Sequence, residues 1–183
     1  MTKYKLKTEL LKISIQKAIY ELLSLFAVSE EEFEKWQRPK IRRQLMKGEY
    51  PEHDIYCPAY SFLENFLYFP QNGGSKFTFT VETIRHEVSH YIHRWLNISI
   101  IYGIYQHARE GKRPKGHHEL TEAVASYPNF ILGMNPDYMP LTDIRQRTLY
   151  NTHGPTFLPR LARMTVEEFL EDKSISLIYV RKP

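Results

Sequence analysis

An α+β fold is what this sequence predicts, on three observations. Residues 3–28 repeat apolar side chains at helical spacing, which predicts a long amphipathic helix. Residues 54–57 (DIYC) and 65–69 (NFLYF) are short aromatic runs closed by Pro58 and Pro70, the signature of strands. From residue 80 onward helical spacing returns, first in VETIRHEVSHYIH (81–93) and again in HHELTEAVAS (117–126).

A length of 183 residues suits one domain, or a small domain with an extension. The charge distribution favours the second arrangement. Residues 1–48 hold eleven Lys/Arg against six Asp/Glu, while the remaining residues hold fourteen against fifteen. We therefore divide the chain into a basic helical extension, 1–48, and a domain, 49–183. A basic helical arm is a candidate nucleic-acid contact, although such a face is more often simply solvated. With 42% hydrophobic and 14% aromatic residues the composition is globular. No apolar run reaches the ~18 residues of a membrane span, and charges interrupt the N-terminal apolar positions, unlike a secretory signal. A single cysteine, Cys57, rules out an internal disulfide and fits a cytoplasmic location. It reads as a small buried hydrophobe rather than a further metal ligand.

In order, residues 3–28 place Leu6, Leu10, Ile13, Leu22, Leu25 and Phe26 among their apolar positions. Ser29 followed by Glu32 is a capping box that starts a second helix. Pro39 interrupts it or begins a third helix ending near Gly48. After the two strand candidates, residues 71–75 are a turn and the motif helix starts at Thr80. It ends or bends near Asn97, and residues 98–107 form an apolar helix beneath it. Residues 111–116 are a loop, and the helix at 117–126 breaks before Pro128. A short helix comes next, around 141–149, then a turn at 152–155 and a capped helix from Thr165. Residues 174–180 (SISLIYV) are a strand candidate.

The chemistry concentrates in His86-Glu87-Val88-Ser89-His90, an H-E-x-x-H spacing. Residues four apart share one face of a helix, so both imidazoles can close on one ion. Val81, Ile84, Val88, Tyr91, Ile92 and Trp95 fall on the opposite side, and His93 falls on the histidine face. Glu87, about 100° round from His86, stands beside the ion, where a carboxylate accepts a proton from water. A catalytic zinc takes three protein ligands and keeps one open position. His93 lies about 10.5 Å along the axis from His86, too far to share its ion. The longer pattern H-E-x-x-H-x-x-G-x-x-H is absent, since His93 and Leu96 occupy its last two marked positions. The third ligand must come from another element, and Glu119 and Glu122 are the nearest carboxylates, with His117, His118 and His153 behind them.

FLYFP, VETIRHEVSH and ELTEAVAS together resemble the gluzincins, thermolysin-like zinc peptidases, with the minigluzincins closest in size. The resemblance covers about a third of the chain, residues 66–127. It implies a zincin-like core, a small sheet with the motif helix and a ligand helix, and a zinc-dependent peptidase acting on peptide or protein. It implies that zinc is held by His86, His90 and Glu122, that Glu87 is the general base, and that residues 65–69 form a cleft-rim strand able to bind extended peptide by strand addition. The family's downstream N-E-x-x-S-D aligns with Thr121 to Ser126, and the departures at Thr121 and Ser126 leave the groups that orient the histidines unassigned. A cationic or phenolic donor is needed for the oxyanion. His153 is the first candidate for that role, with Tyr127 and Tyr150 as alternatives. Local packing also favours Glu122 over Glu119, because Ala123, Ala125 and Ser126 let its helix approach closely. A non-catalytic or nucleic-acid-associated regulator on the same fold is the competing expectation.

Overall fold

The computed structural model describes residues 3–44, 46, 58–70, 80–112, 114–133 and 144–179, with side chains from Lys7 onward. It is mostly helical with a small mixed three-stranded sheet, an α+β arrangement. The expected strand at 54–57, the turn at 71–75 and Cys57 lie outside the described residues.

Helix α1 spans Lys3–Leu25. Its buried stripe is Leu11, Ile15, Ala18, Ile19, Leu22 and Leu23, continued by Phe26 beyond the helix end. That spacing is helical, but the stripe is rotated from the expected one. Leu10 and Ile13 are 55% and 62% exposed. The helix lies along α3, Val81–Leu96, and is tied to it by a forked ion pair. Arg85 Nη2 and Nε meet the two Glu21 carboxylate oxygens at 2.7 and 3.0 Å. Ala27 takes a left-handed conformation after α1, and Arg163 donates to the carbonyls of Phe26 and Ala27. These bonds satisfy acceptors that a helix end leaves open. Leu11 through Phe26 belong to one continuous core with Val88, Tyr91, Leu120 and Leu161, so the helices before residue 49 share a core with residues after it.

Helix α2, Glu30–Glu34, starts where expected, with Ser29 Oγ accepting from the Glu32 amide at 3.1 Å. No helix starts at Pro39. Lys40–Arg42 is instead strand β1, which pairs in parallel with β3, Phe66–Tyr68. Strand β2, Ala59–Ser61, pairs antiparallel with β3 on its other side. β3 is therefore the central strand, and the expected rim role for residues 65–69 is corrected, because both its edges are already hydrogen-bonded. Asn65, in a left-handed turn, locks the corner. Its Oδ1 accepts from the Tyr60 hydroxyl at 2.7 Å and its Nδ2 donates to the Gln37 carbonyl at 3.2 Å.

Helix α3 is capped by Thr80 Oγ1, which accepts from the Thr83 amide at 3.2 Å. It breaks at Asn97, whose Nδ2 donates to the Met164 carbonyl, and α4, Ile98–Glu110, buries Ile100 and Ile104 beneath it. Helix α5, His117–Ile131, runs straight through Pro128, where the sequence predicted a break. A proline inside a helix removes one donor and crowds the carbonyl four residues back. Separately, the buried Gln146 amide donates to the Glu122 and Ala123 carbonyls at 3.2 and 2.9 Å, tying the preceding turn to a later helix.

Gln146 belongs to α6, Ile144–His153. A 3₁₀ turn, Pro155–Phe157, leads into α7, Leu158–Arg163, and α8, Val166–Glu171, which opens on a complete Thr165/Glu168 capping box. The predicted tail strand is instead α9, Lys173–Tyr179. Asp172 starts it, its carboxylate accepting from the Ser174 amide at 3.1 Å and its carbonyl from Ile175 and Ser176. Ile175 and Tyr179, four apart, are buried while Leu177 is 67% exposed. A strand would have put all three on one face. Among the described residues no helix is long and apolar enough to cross a membrane.

Candidate metal centre

Helices α3 and α5 run antiparallel. At one end the Asn129 amide donates to the Glu82 carbonyl at 3.2 Å, and in the middle Glu122 faces His86 and His90. Small side chains are buried on both helices, Ser89 on α3 and Ala123 and Ala125 on α5.

Glu122 splits its carboxylate between the two histidines. Oε2 lies 3.3 Å from His86 Nε2, and Oε1 lies 3.3 Å from His90 Nε2. One ligand atom from each residue falls within 4.8 Å of the others. A tetrahedral ion with bonds of ~2.0–2.1 Å has ligand–ligand edges of roughly 3.3–3.4 Å, so a small closing of these side chains would bring the three onto one ion. The donor set of two imidazoles and one carboxylate is chemically suited to a divalent metal. His86, His90 and Glu122 are thus brought together as the sequence predicted, and Glu119 is not part of the group.

The rings of His86 and His90 stand nearly perpendicular with centroids 4.9 Å apart, and the edge of Phe62 packs on His90 at 5.4 Å. Burial pushes the His90 pKa down, against the opposing pull of Glu122. Burial would raise the pKa of Glu122, but the His86 charge and the hydrogen bonds from both histidines outweigh it and hold the carboxylate well below its ordinary range. The Glu122 carboxylate is therefore held ionised by its hydrogen bonds to the two imidazoles.

Glu87 is buried beside this group and is not in it. Burial pushes its pKa up to about 8, Glu122 adds to the rise, and His86 and the Tyr60 backbone N–H oppose it. That N–H belongs to β2, which packs against α3. Nothing in the sequence marked Tyr60, because its contribution is a backbone amide. Gln146, braced behind the Glu122 backbone, was equally silent, since a glutamine on a polar helix carries no pattern.

The expected oxyanion donors have other partners. Tyr127 is buried and donates its hydroxyl to the Gly154 carbonyl, and burial pushes its pKa to about 12. Tyr150 packs between Tyr127 and Phe130, with centroids at 5.9 and 6.1 Å. His153 places Nε2 3.2 Å from Ser174 Oγ and stacks on Phe157 at 4.2 Å. Among the described residues these contacts do not reach Glu87 or the three ligands. His93, expected on the same helix face as His86 and His90, is fully buried. Thr121 turns its hydroxyl to the His118 carbonyl at 3.0 Å, so it does not orient a ligand.

The arrangement defines a candidate metal site with an adjacent buried carboxyl. Comparison with known proteins finds no matching family model, no similar curated protein and no similar solved structure.

Proposed function

We propose that this chain is a zinc-dependent peptidase with a zincin-like core, in which His86, His90 and Glu122 hold the ion and Glu87 is the general base. The observation that carries the reading is Glu87. Binding a metal requires only the three ligands, whereas a buried carboxyl adjacent to them costs stability and needs a reason.

When bound, zinc supplies Lewis-acid polarisation of a water and of the scissile carbonyl. Glu87 takes the proton of the attacking water and passes it to the departing amine. Its pKa of about 8 in the metal-free protein suits both halves of that task, because a nearby cation draws a carboxyl pKa down towards neutrality. Burial also keeps the proton on Glu87 from exchanging with bulk water between the two steps. Strand β2 holds the carboxyl through the Tyr60 amide, which leaves the other oxygen for the water.

Hydrolysis of an unstructured protein substrate tests this. Wild-type protein loaded with zinc should cleave it, a chelator should abolish cleavage, and Glu87→Gln should retain zinc while losing activity. Full activity in Glu87→Gln would rule out the general base.

A further inference from the structure

We propose that His93 is the positioning residue for the ligand His90, acting through one buried water that bridges His90 Nδ1 and a ring nitrogen of His93. This rests on the metal reading above.

His93 lies three residues after His90, one turn along the same side of α3. Both of its ring nitrogens are buried without a hydrogen-bond partner among the described residues, and so is His90 Nδ1. Three orphan nitrogens within one turn are costly, because each buried unsatisfied group forfeits about 1–3 kcal/mol. They have no bond to one another, so a third group must link them. A water is the species that fits, since it needs two to four polar partners and a site closed to bulk solvent.

Chemistry narrows the choice further. In the metal-free protein His90 Nε2 faces the Glu122 carboxylate and donates to it, so Nδ1 is a bare acceptor. With Nε2 on a metal, the proton must sit on Nδ1, which becomes a donor. Whatever lies behind His90 must serve both states. A carboxylate or carbonyl cannot, because it only accepts. A water backed by a neutral imidazole can, because both donate and accept. His93 is such an imidazole, fully buried with both ring nitrogens free to face a water. His117 is fixed, with Nε2 3.0 Å from the Ile100 carbonyl, and its ring edge packs where a side chain at Gly103 would collide at 2.8 Å. This supplies the orienting contact that Thr121 and Ser126 do not.

The test compares zinc affinity, by chelator competition, in wild type, His93→Phe and His93→Gln, with thermal melts to verify folding. Loss of a group that orients a metal-binding histidine typically weakens binding by ~10–100-fold, so His93→Phe should fall in that range and His93→Gln should stay within about threefold of wild type. Wild-type affinity in His93→Phe overturns the inference, as does equal weakening in both variants, which would mark a packing effect. If His93→Phe does not fold, nitrogen-15 imidazole spectra of zinc-loaded wild type and His93→Gln decide. A His90 Nδ1 proton protected from exchange supports the bridge, and a freely exchanging one refutes it. Wild-type protein that binds no zinc overturns the metal reading along with this one, whereas wild-type affinity in His93→Phe overturns this one alone.

Discussion

Replacing Glu87 by Gln should make the metal-free protein more stable. Glu87 is buried, and its pKa rises from 4.5 to about 8 on folding. A raised pKa means that the folded state binds the proton more tightly than the unfolded one. Stability from this group is therefore fully present below pH 4.5 and is lost as the pH climbs through about 8. Each pH unit in that window costs ~1.4 kcal/mol, so at pH 7 the carboxyl costs of the order of 3 kcal/mol. Gln has the same shape, never ionises, and its carbonyl can still accept from the Tyr60 amide. Urea unfolding of chelator-treated wild type and Glu87→Gln at pH 4.5, 7 and 8.5 should give coincident curves at the first pH and a widening gap in favour of Gln at the others. A Glu87→Gln protein less stable than wild type at pH 7, or a gap independent of pH, would refute the reasoning.

Core and boundary predictions are simpler. Leu22→Ala should cost ~2–5 kcal/mol by urea unfolding, since Leu22 is fully buried where α1 meets the common core. A chain beginning at residue 49 loses that side chain together with Leu11, Ile15 and Phe26. At ~1.5–3 kcal/mol each, their loss rivals a whole domain's stability of about 5–15 kcal/mol. Such a chain should show no cooperative thermal transition, and a sharp one would support the division at residue 48. In α9, Ile175→Ala should destabilise by ~2–4 kcal/mol and Leu177→Ala by less than about 0.5 kcal/mol. Equal losses would favour the strand that the alternation suggested.

The site was more legible than the fold because its signals are local. His86 and His90 lie on one turn of one helix, and Glu122 sits in a helix whose small neighbours announce close approach. Where the sequence misled, a long-range contact decided. Lys40–Arg42 becomes a strand only because β3 is there to pair with it, which no pattern near Pro39 encodes. Pro128 stays within α5, whose far turn is buried and held to α3 by the hydrogen bond from Asn129 to the Glu82 carbonyl. Residues 174–180 carry both an alternating and a helical pattern, and the Asp172 cap together with burial of Ile175 and Tyr179 selects the helix. The angle of His93 on α3 puts it on the histidine face but cannot say that α4 and α5 cover that end of the helix and bury it.

Zinc stoichiometry of wild-type and Glu122→Ala protein, measured after equilibration with the metal and removal of excess, bears most directly on the site. Three convergent ligands should give wild type one tightly held ion per chain, and Glu122→Ala should lose affinity by orders of magnitude while Glu119→Ala does not. Wild-type protein that retains no zinc, or a Glu122→Ala protein that retains it fully, would contradict the assignment of His86, His90 and Glu122 as the metal centre.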